Sequence, residues 1–185
     1  MNTDGLCLRR ARLGDIDALA ALEAHFPTDR IPRAGFRHLL TRANAHVWVC
    51  AKNGDVCADT VVLFRRQSRI ARVYSIVVHP NHRGRGLARR LILAAETAAI
   101  RRGCRHMRLE VRPANTAAQS LYRLLGYTTV TKLESFYEDG GDALRMAKDL
   151  RATNTARRQP SNARPGKPAT GATARPSTGA SRAAT

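Results

Sequence analysis

Arg83-Gly84-Arg85-Gly86-Leu87-Ala88 is the stretch of this 185-residue chain whose residue types speak most directly of chemistry. It joins an apolar, strand-like run ending at Val78 to a long segment of helical period. Two glycines remove side chains there, so backbone N–H groups can come close to a ligand. A helix starting just behind them adds unpaired N–H groups and the positive end of its dipole, which together suit an anion such as pyrophosphate. The alternative is an ordinary basic loop that opens a helix. No Gly-Lys-Ser/Thr follows, so the run is not a P-loop, and Arg89 stands where a G-x-G-x-x-G motif needs its third glycine.

Two further side chains could do chemistry. Glu110 lies between Leu109 and Val111 on a strand, so alternation turns its carboxylate to the face opposite theirs. On residue type alone it reads as a solvated carboxylate on an open strand face. Tyr122 is flanked by Leu121 and by Leu124–Leu125, and its ring alone reads as core. His79 and His82 have no third ligand at metal spacing, so no metal is expected. Cys7, Cys50, Cys57 and Cys104 form no C-x-x-C pair and read as buried, reduced thiols.

The elements that must position these groups follow from periodicity. Leu6–Arg12 alternates as a strand, and Asp15 is expected to cap a helix with Ile16, Leu19, Ala20 and Leu22 on one face. After a break at Phe26–Pro32, Arg33–Ala43 reads as a second helix. His46–Lys52 and Val56–Arg65 are strands joined by the hairpin signal Asn53–Gly54. Arg72–Val78 is a strand, Gly86–Arg102 a long helix stopped by Gly103, and Arg105–Val111 a strand. Asn115–Leu125 is a helix stopped by Gly126, and Tyr127–Leu133 and Ala143–Leu150 close the domain as strands. Strands interleaved with helices and hairpins predict an α/β domain: a mixed sheet flanked by helices.

Composition divides the chain at about residue 150. The last 35 residues hold no Asp, Glu, Val, Ile, Leu, Met or aromatic, and they carry seven of the 32 Lys and Arg, hence +7 of the net +18. A segment with nothing to bury cannot offset its ordering entropy, so residues 151–185 are expected to be a disordered basic tail behind a single domain of residues 1–150. Both parts attract polyanions, and an RNA or ribosomal partner is one reading of the charge; solubility in an Arg-rich chain is the other. The start has no apolar signal-peptide core and no run approaches a membrane span, so a cytoplasmic location is expected.

From Ser75 onward the residues resemble a known family. Ser75-Ile76-Val77-Val78-His79-Pro80-Asn81-His82-Arg83-Gly84-Arg85-Gly86-Leu87-Ala88 is similar to the acetyl-CoA motif of the GNAT superfamily, with Arg83, Gly86 and Ala88 at the defined positions of Q/R-x-x-G-x-G/A. Leu109 to Asn115, Ser120 to Tyr127, Phe136-Tyr137 and Asp139 to Ala143 resemble the second half of the same fold. The likeness is closest to its bacterial ribosomal-protein alanine N-acetyltransferase branch. Phe26-Pro27-Thr28-Asp29-Arg30 departs from that branch where the family places substrate loops.

The resemblance implies the GNAT fold and a set of roles. The backbone of Ile76, Val77 and Val78 would pair with the pantetheine arm of acetyl-CoA, and the last N–H of that run would polarise the thioester carbonyl. The pyrophosphate would lie on Gly84, Arg85, Gly86, Leu87, Ala88 and Arg89, with Asn115 near the pantetheine. Glu110 would act as general base, usually through water, Tyr122 as general acid at the leaving thiolate, and Tyr137 on the substrate side. An α-amine of pKa about 7.7–8.0 asks less of a base than a lysine near 10.4. The likeness to the alanine N-acetyltransferase branch implies a protein N-terminus as the acceptor. Glu134, Glu138, Asp139 and Asp142 gather near the substrate side and would suit any cationic amine. Two other readings stand beside it: acetyl transfer to a polyamine or antibiotic, and a CoA-binding regulator without catalysis.

Overall fold

The structure, a computed structural model, describes residues 5–25 and 30–151. The chain runs β1 (Leu6–Arg10), α1 (Ile16–Glu23), α2 (Arg33–Thr41), β2 (Ala45–Lys52), β3 (Asp55–Phe64), β4 (Ile70–Val78), α3 (Leu87–Arg101), β5 (His106–Val111), α4 (Thr116–Leu124), β6 (Thr128–Leu133) and β7 (Ala143–Asp149). Single 3-10 turns at Leu13–Asp15 and Pro80–His82 precede α1 and the glycine-rich loop. The seven strands form one sheet in the order β1-β2-β3-β4-β5-β7-β6. Every pairing is antiparallel except β4 with β5.

That parallel pairing is short. It covers Ile70–Val73 against His106–Leu109 and then stops. Beyond it β4 continues to Val78 against β3 alone, and β5 continues against β7. The sheet therefore opens between its two halves at the carboxyl ends of β4 and β5. At the same point Tyr74 is an extra residue in β4, because Val61 pairs with Ser75 while Val62 pairs with Val73. The bulge flips the alternation. Ser75 and Val77 pair with Val61 and Asp59 on the α1 face, while Ile76 and Val78 pack with Leu87 and Leu91 on the α3 face.

Three apolar clusters hold the layers. Ile16, Leu19 and Phe36 of the first two helices seat on Val47, Val49 and Val61. On the other face Ile92, Ala95 and Ala99 of α3 meet Val73, Met107, Leu109 and Met146, so one helix bridges both halves of the sheet. Their spacing of three and four residues is the apolar stripe read from the sequence. A buried ion pair adds to it: Lys148 of β7 donates to both carboxylate oxygens of Glu96 on α3 at 2.8 and 2.9 Å.

Two local expectations change. Asp15 does not cap α1: its carboxylate accepts from the Arg9 guanidinium at 2.7 and 2.8 Å and from the Arg12 N–H at 2.7 Å. The charged hydrogen bonds outcompete a helix N–H, and the bond to Arg9 holds the carboxyl below its ordinary range. Cys7 is exposed on the edge strand β1, whereas Cys50, Cys57 and Cys104 are buried; all four are free thiols. The tail beyond Arg151 and the Phe26–Asp29 stretch lie outside the described residues. No helix among the described residues is long and apolar enough to cross a membrane.

Candidate active site

The glycine-rich loop is built as an anion cradle. Gly86 is the N-cap of α3 and is left-handed at φ 71°, and Gly84 is left-handed at φ 73°, a region in which other residues are strained. Among the described residues, the N–H groups of Gly84 through Arg89 donate to no backbone carbonyl, and the first intrahelical bond runs from Arg90 N–H to Gly86 O at 3.1 Å. A Cβ added at Gly84 or Gly86 would meet no protein atom within 4 Å. The space beside these glycines is thus open to a ligand. Ile76, Val77 and Val78, expected to pair with pantetheine, lie on the segment of β4 that β5 leaves unpaired.

Glu110 sits at the first β5 position past the parallel pairing. Its side chain is 4% exposed, and each oxygen accepts from one guanidinium Nε: Arg72 of β4 at 2.8 Å and Arg145 of β7 at 2.8 Å. These charge-assisted bonds fix the carboxylate across the mouth of the opening. The sequence reading missed both arginines. The signal was present in Arg72, Arg108, Glu110 and Arg145, polar residues at alternate strand positions, but their convergence needs the register of three strands. Arg72 is itself framed by rings, 5.5 Å from Tyr74 and 5.9 Å from Phe136.

Tyr122 lies on the other face. It is 4% exposed and packs in the same cluster as Val73, Leu109 and Val111. Gly126 ends α4 in the left-handed region, so Gly126 N–H reaches Arg123 O and Tyr127 N–H reaches Tyr122 O, both at 2.9 Å. This Schellman pattern pins the turn that carries Tyr122. Burial, and then the neighbouring Tyr137, raise its hydroxyl above the ordinary phenol range, so it keeps its proton at neutral pH. Glu110 and Tyr122 therefore occupy opposite faces of the sheet beside one opening.

The remaining expected residues have local partners. Asn115 is the N-cap of α4, its Oδ1 accepting from Ala118 N–H at 3.1 Å. Tyr137 lies with its ring 3.9 Å below the Arg112 guanidinium. The acidic residues expected to face a cationic amine are partly used by neighbouring groups. Asp139 holds Arg112 and Gly141 N–H, while Asp142 holds Lys132 and Ser135 N–H.

The structure adds a pair of acids on the α1 face. Asp59 is 0% exposed and no hydrogen bond reaches either of its oxygens, while Glu23 of α1 is 3% exposed and accepts weakly from Ser75 Oγ at 3.4 Å. Burial raises Asp59 well above the carboxylate range, with the Glu23 charge second; burial raises Glu23 as well, partly offset by bonds from Ile31 N–H and Ser75. Asp59 interrupts the apolar run Val56–Phe64, and that interruption was the legible sign. Among the described residues no three His, Cys, Asp or Glu side chains gather as metal ligands.

Comparison with known proteins bears on this geometry. Residues 15–127 match the acetyltransferase (GNAT) family. A Bacillus subtilis relative, named as a candidate alanine N-acetyltransferase of ribosomal protein bS18, is 32% identical over 144 residues, 75% of this chain and 92% of its own. The N-alpha-acetyltransferase RimI of Mycobacterium tuberculosis is 32% identical over 158 residues, 80% of this chain and 95% of its own. The crystal structure of the Escherichia coli ribosomal-protein-S18-alanine N-acetyltransferase superposes with a TM-score of 0.70 at 24% identity, over 78% of this chain and 94% of that one, a likeness of fold.

Proposed function

Because this chain belongs to the GNAT family of N-acetyltransferases, whose co-substrate is acetyl-CoA, we propose that it acetylates the α-amine of a protein N-terminus by direct transfer. The opening between β4 and β5, with Glu110 on one face and Tyr122 on the other, is the observation that carries this reading. An acceptor arriving on the α1 face meets the carboxylate, and a donor on the α3 face meets the phenol. The resemblance of the relatives to N-terminal acetyltransferases supports the choice of acceptor.

In this scheme the loop from Arg83 through Arg89 takes the donor pyrophosphate, and the unpaired edge of Ile76, Val77 and Val78 takes the pantetheine arm. Asn115 stands where α4 begins and flanks that arm. Glu110 removes a proton from the acceptor ammonium through a water, since each carboxylate oxygen keeps a lone pair beyond its guanidinium bond. The amine nitrogen then bonds to the thioester carbon, the C–S bond breaks, Tyr122 protonates the departing sulfur, and the acylated nitrogen gives up its second proton, which returns the Tyr122 phenolate to phenol. Glu110 releases its proton to solvent. Tyr137, stacked beneath Arg112, lines the acceptor side.

The test is an acceptor screen with labelled acetyl-CoA against peptides of varied first residue, internal lysines, polyamines and aminoglycosides. Acetylation confined to peptide α-amines is the expected result. Turnover on polyamines or aminoglycosides with none on peptides refutes the acceptor class, and donor binding without turnover on any amine refutes catalysis.

A further inference from the structure

A groove of about 630 Å³ lies on the α3 face between β1, β2 and the outer side of α3. The helix rises 1.5 Å per residue, so Arg101 at the far end of the groove is about 21 Å from Leu87 at the donor loop. Its near end, at Arg90, adjoins the donor loop, and the groove runs from there along the outer side of the helix. Its floor is apolar, formed by Leu8, Trp48, Leu93 and Ala98, and its rim carries Arg10, Arg90, Arg101 and Arg102, with Arg10 5.5 Å above the Trp48 ring and Arg102 4.5 Å above that of Phe64. No carboxylate lines it. Arg9 is paired with Asp15 and Arg72 with Glu110, but no ion pair among the described residues reaches these four.

The rim cations also crowd one another. Burial, then the charge of Arg102, push Arg10 below the ordinary guanidinium range. Burial followed by Arg10 and Arg102 lowers His46 to about 4, so the imidazole is neutral at physiological pH. His46 Nε2 lies 3.3 Å from Arg102 Nη1, while His46 Nδ1 and Trp48 Nε1 are buried without a hydrogen-bond partner.

We propose that this groove is a second, non-catalytic binding site for a nucleotide, with the phosphate on the arginine rim and the base on the Trp48 floor. Each half of the ligand answers an observation. Four guanidinium groups exceed what a single carboxylate can neutralise, and they match phosphate oxygens in planar, two-pronged geometry. The apolar floor excludes a bare inorganic anion, because a fully hydrated ion gains nothing from Leu8 and Leu93. A heteroaromatic base presents flat, weakly polar faces that match the floor of Leu8, Trp48, Leu93 and Ala98. The volume lies inside the range of about 300–1,000 Å³ common to small-ligand sites. The nucleotide can come free or as one unit of an RNA strand, toward which a net charge of +18 steers the protein.

Trp48 is the single tryptophan of the chain, so its emission reports directly on the groove. The experiment titrates the full-length protein, with its donor site filled by acetyl-CoA, with AMP and separately with a single-stranded RNA oligonucleotide. A saturable change in emission is expected with at least one of them. Similar affinity for both assigns a free nucleotide; tighter oligonucleotide binding that falls steeply with salt assigns an RNA strand. Arg101→Gln with Arg102→Gln should weaken binding on the order of tenfold or more, while acetylation of a small acceptor is unchanged. Arg10→Gln alone should weaken it too, which guards against a fold defect in the double variant. No saturable change with either ligand, equal affinity in the variants, or an equal response to octanoate overturns the proposal.

Discussion

Asp59→Asn tests how the two buried acids shape stability. Asp59 is fully buried, accepts no hydrogen bond and has Glu23 as its charged neighbour. Ionising it would place a bare charge in the core, so the folded protein holds the proton well above the ordinary range. The unfolded chain loses that proton near pH 3.9. Between that pH and the raised folded value the native state binds more protons than the unfolded one, so unfolding free energy falls as pH rises. Glu23, also raised, adds a slope of the same sign. Asparagine keeps the volume and removes the titration. At pH 4 the two proteins should be close in stability. By pH 8 the variant should lead by about 1.4 kcal/mol for each pH unit by which folding raises the Asp59 carboxyl, up to that pH. At about 2–4 °C per kcal/mol for a chain of this size, the lead appears as a Tm difference that widens as pH rises. Calorimetry from pH 4 to 8.5 reads it. Parallel pH curves for the two proteins, or a variant less stable at every pH, would refute the reasoning.

Other perturbations separate the parts of the site. Gly86→Val puts a β-branched residue at φ 71° and a side chain into the open space beside the loop, so CoA affinity should fall on the order of tenfold or more; unchanged affinity by calorimetry in a folded variant rejects the donor assignment. Glu110→Gln should lower turnover about 10²–10⁴-fold, with partial recovery at high pH where the acceptor deprotonates unaided, and near-normal turnover at pH 7 rules out the base. Tyr122→Phe should retain CoA affinity and lose turnover at every pH; if turnover is normal, the ring only packs. Lys148→Met leaves Glu96 as a buried charge without its partner, at a cost of about 3–5 kcal/mol, read as a lower urea midpoint with unchanged m-value.

What was legible in the sequence was what short-range chemistry decides. Asn53–Gly54 marked the hairpin, Gly126 stopped α4, and the stripe through Leu87, Leu91 and Ala95 set α3. The open space beside Gly84 and Gly86 follows from the glycines themselves. Register was not legible. The single extra residue at Tyr74 decides which face Ser75 and Val77 take, and no local preference announces it. The guanidinium clamp on Glu110 joins positions 38 and 35 residues away along the chain, so it exists only once β4, β5 and β7 are aligned. Asp15 was misread because its competitor, Arg9, comes from the preceding strand. Cys7 was misread because alternation alone does not say that its strand is an edge.

The junction of β4 and β5 makes the domain separable along its own chain. Strands β1 to β4 and helix α3 all precede Gly103, and β5, β6, β7 and α4 all follow Cys104. A nick in that turn would cut no strand and no helix. It would leave the donor loop on one fragment and Glu110 with Tyr122 on the other, joined by four parallel register pairs, the cluster under α3 and the Arg72–Glu110 and Glu96–Lys148 pairs. Acetylation would then require two polypeptides to meet, and the enzyme would become a reporter of proximity between whatever proteins the fragments were fused to.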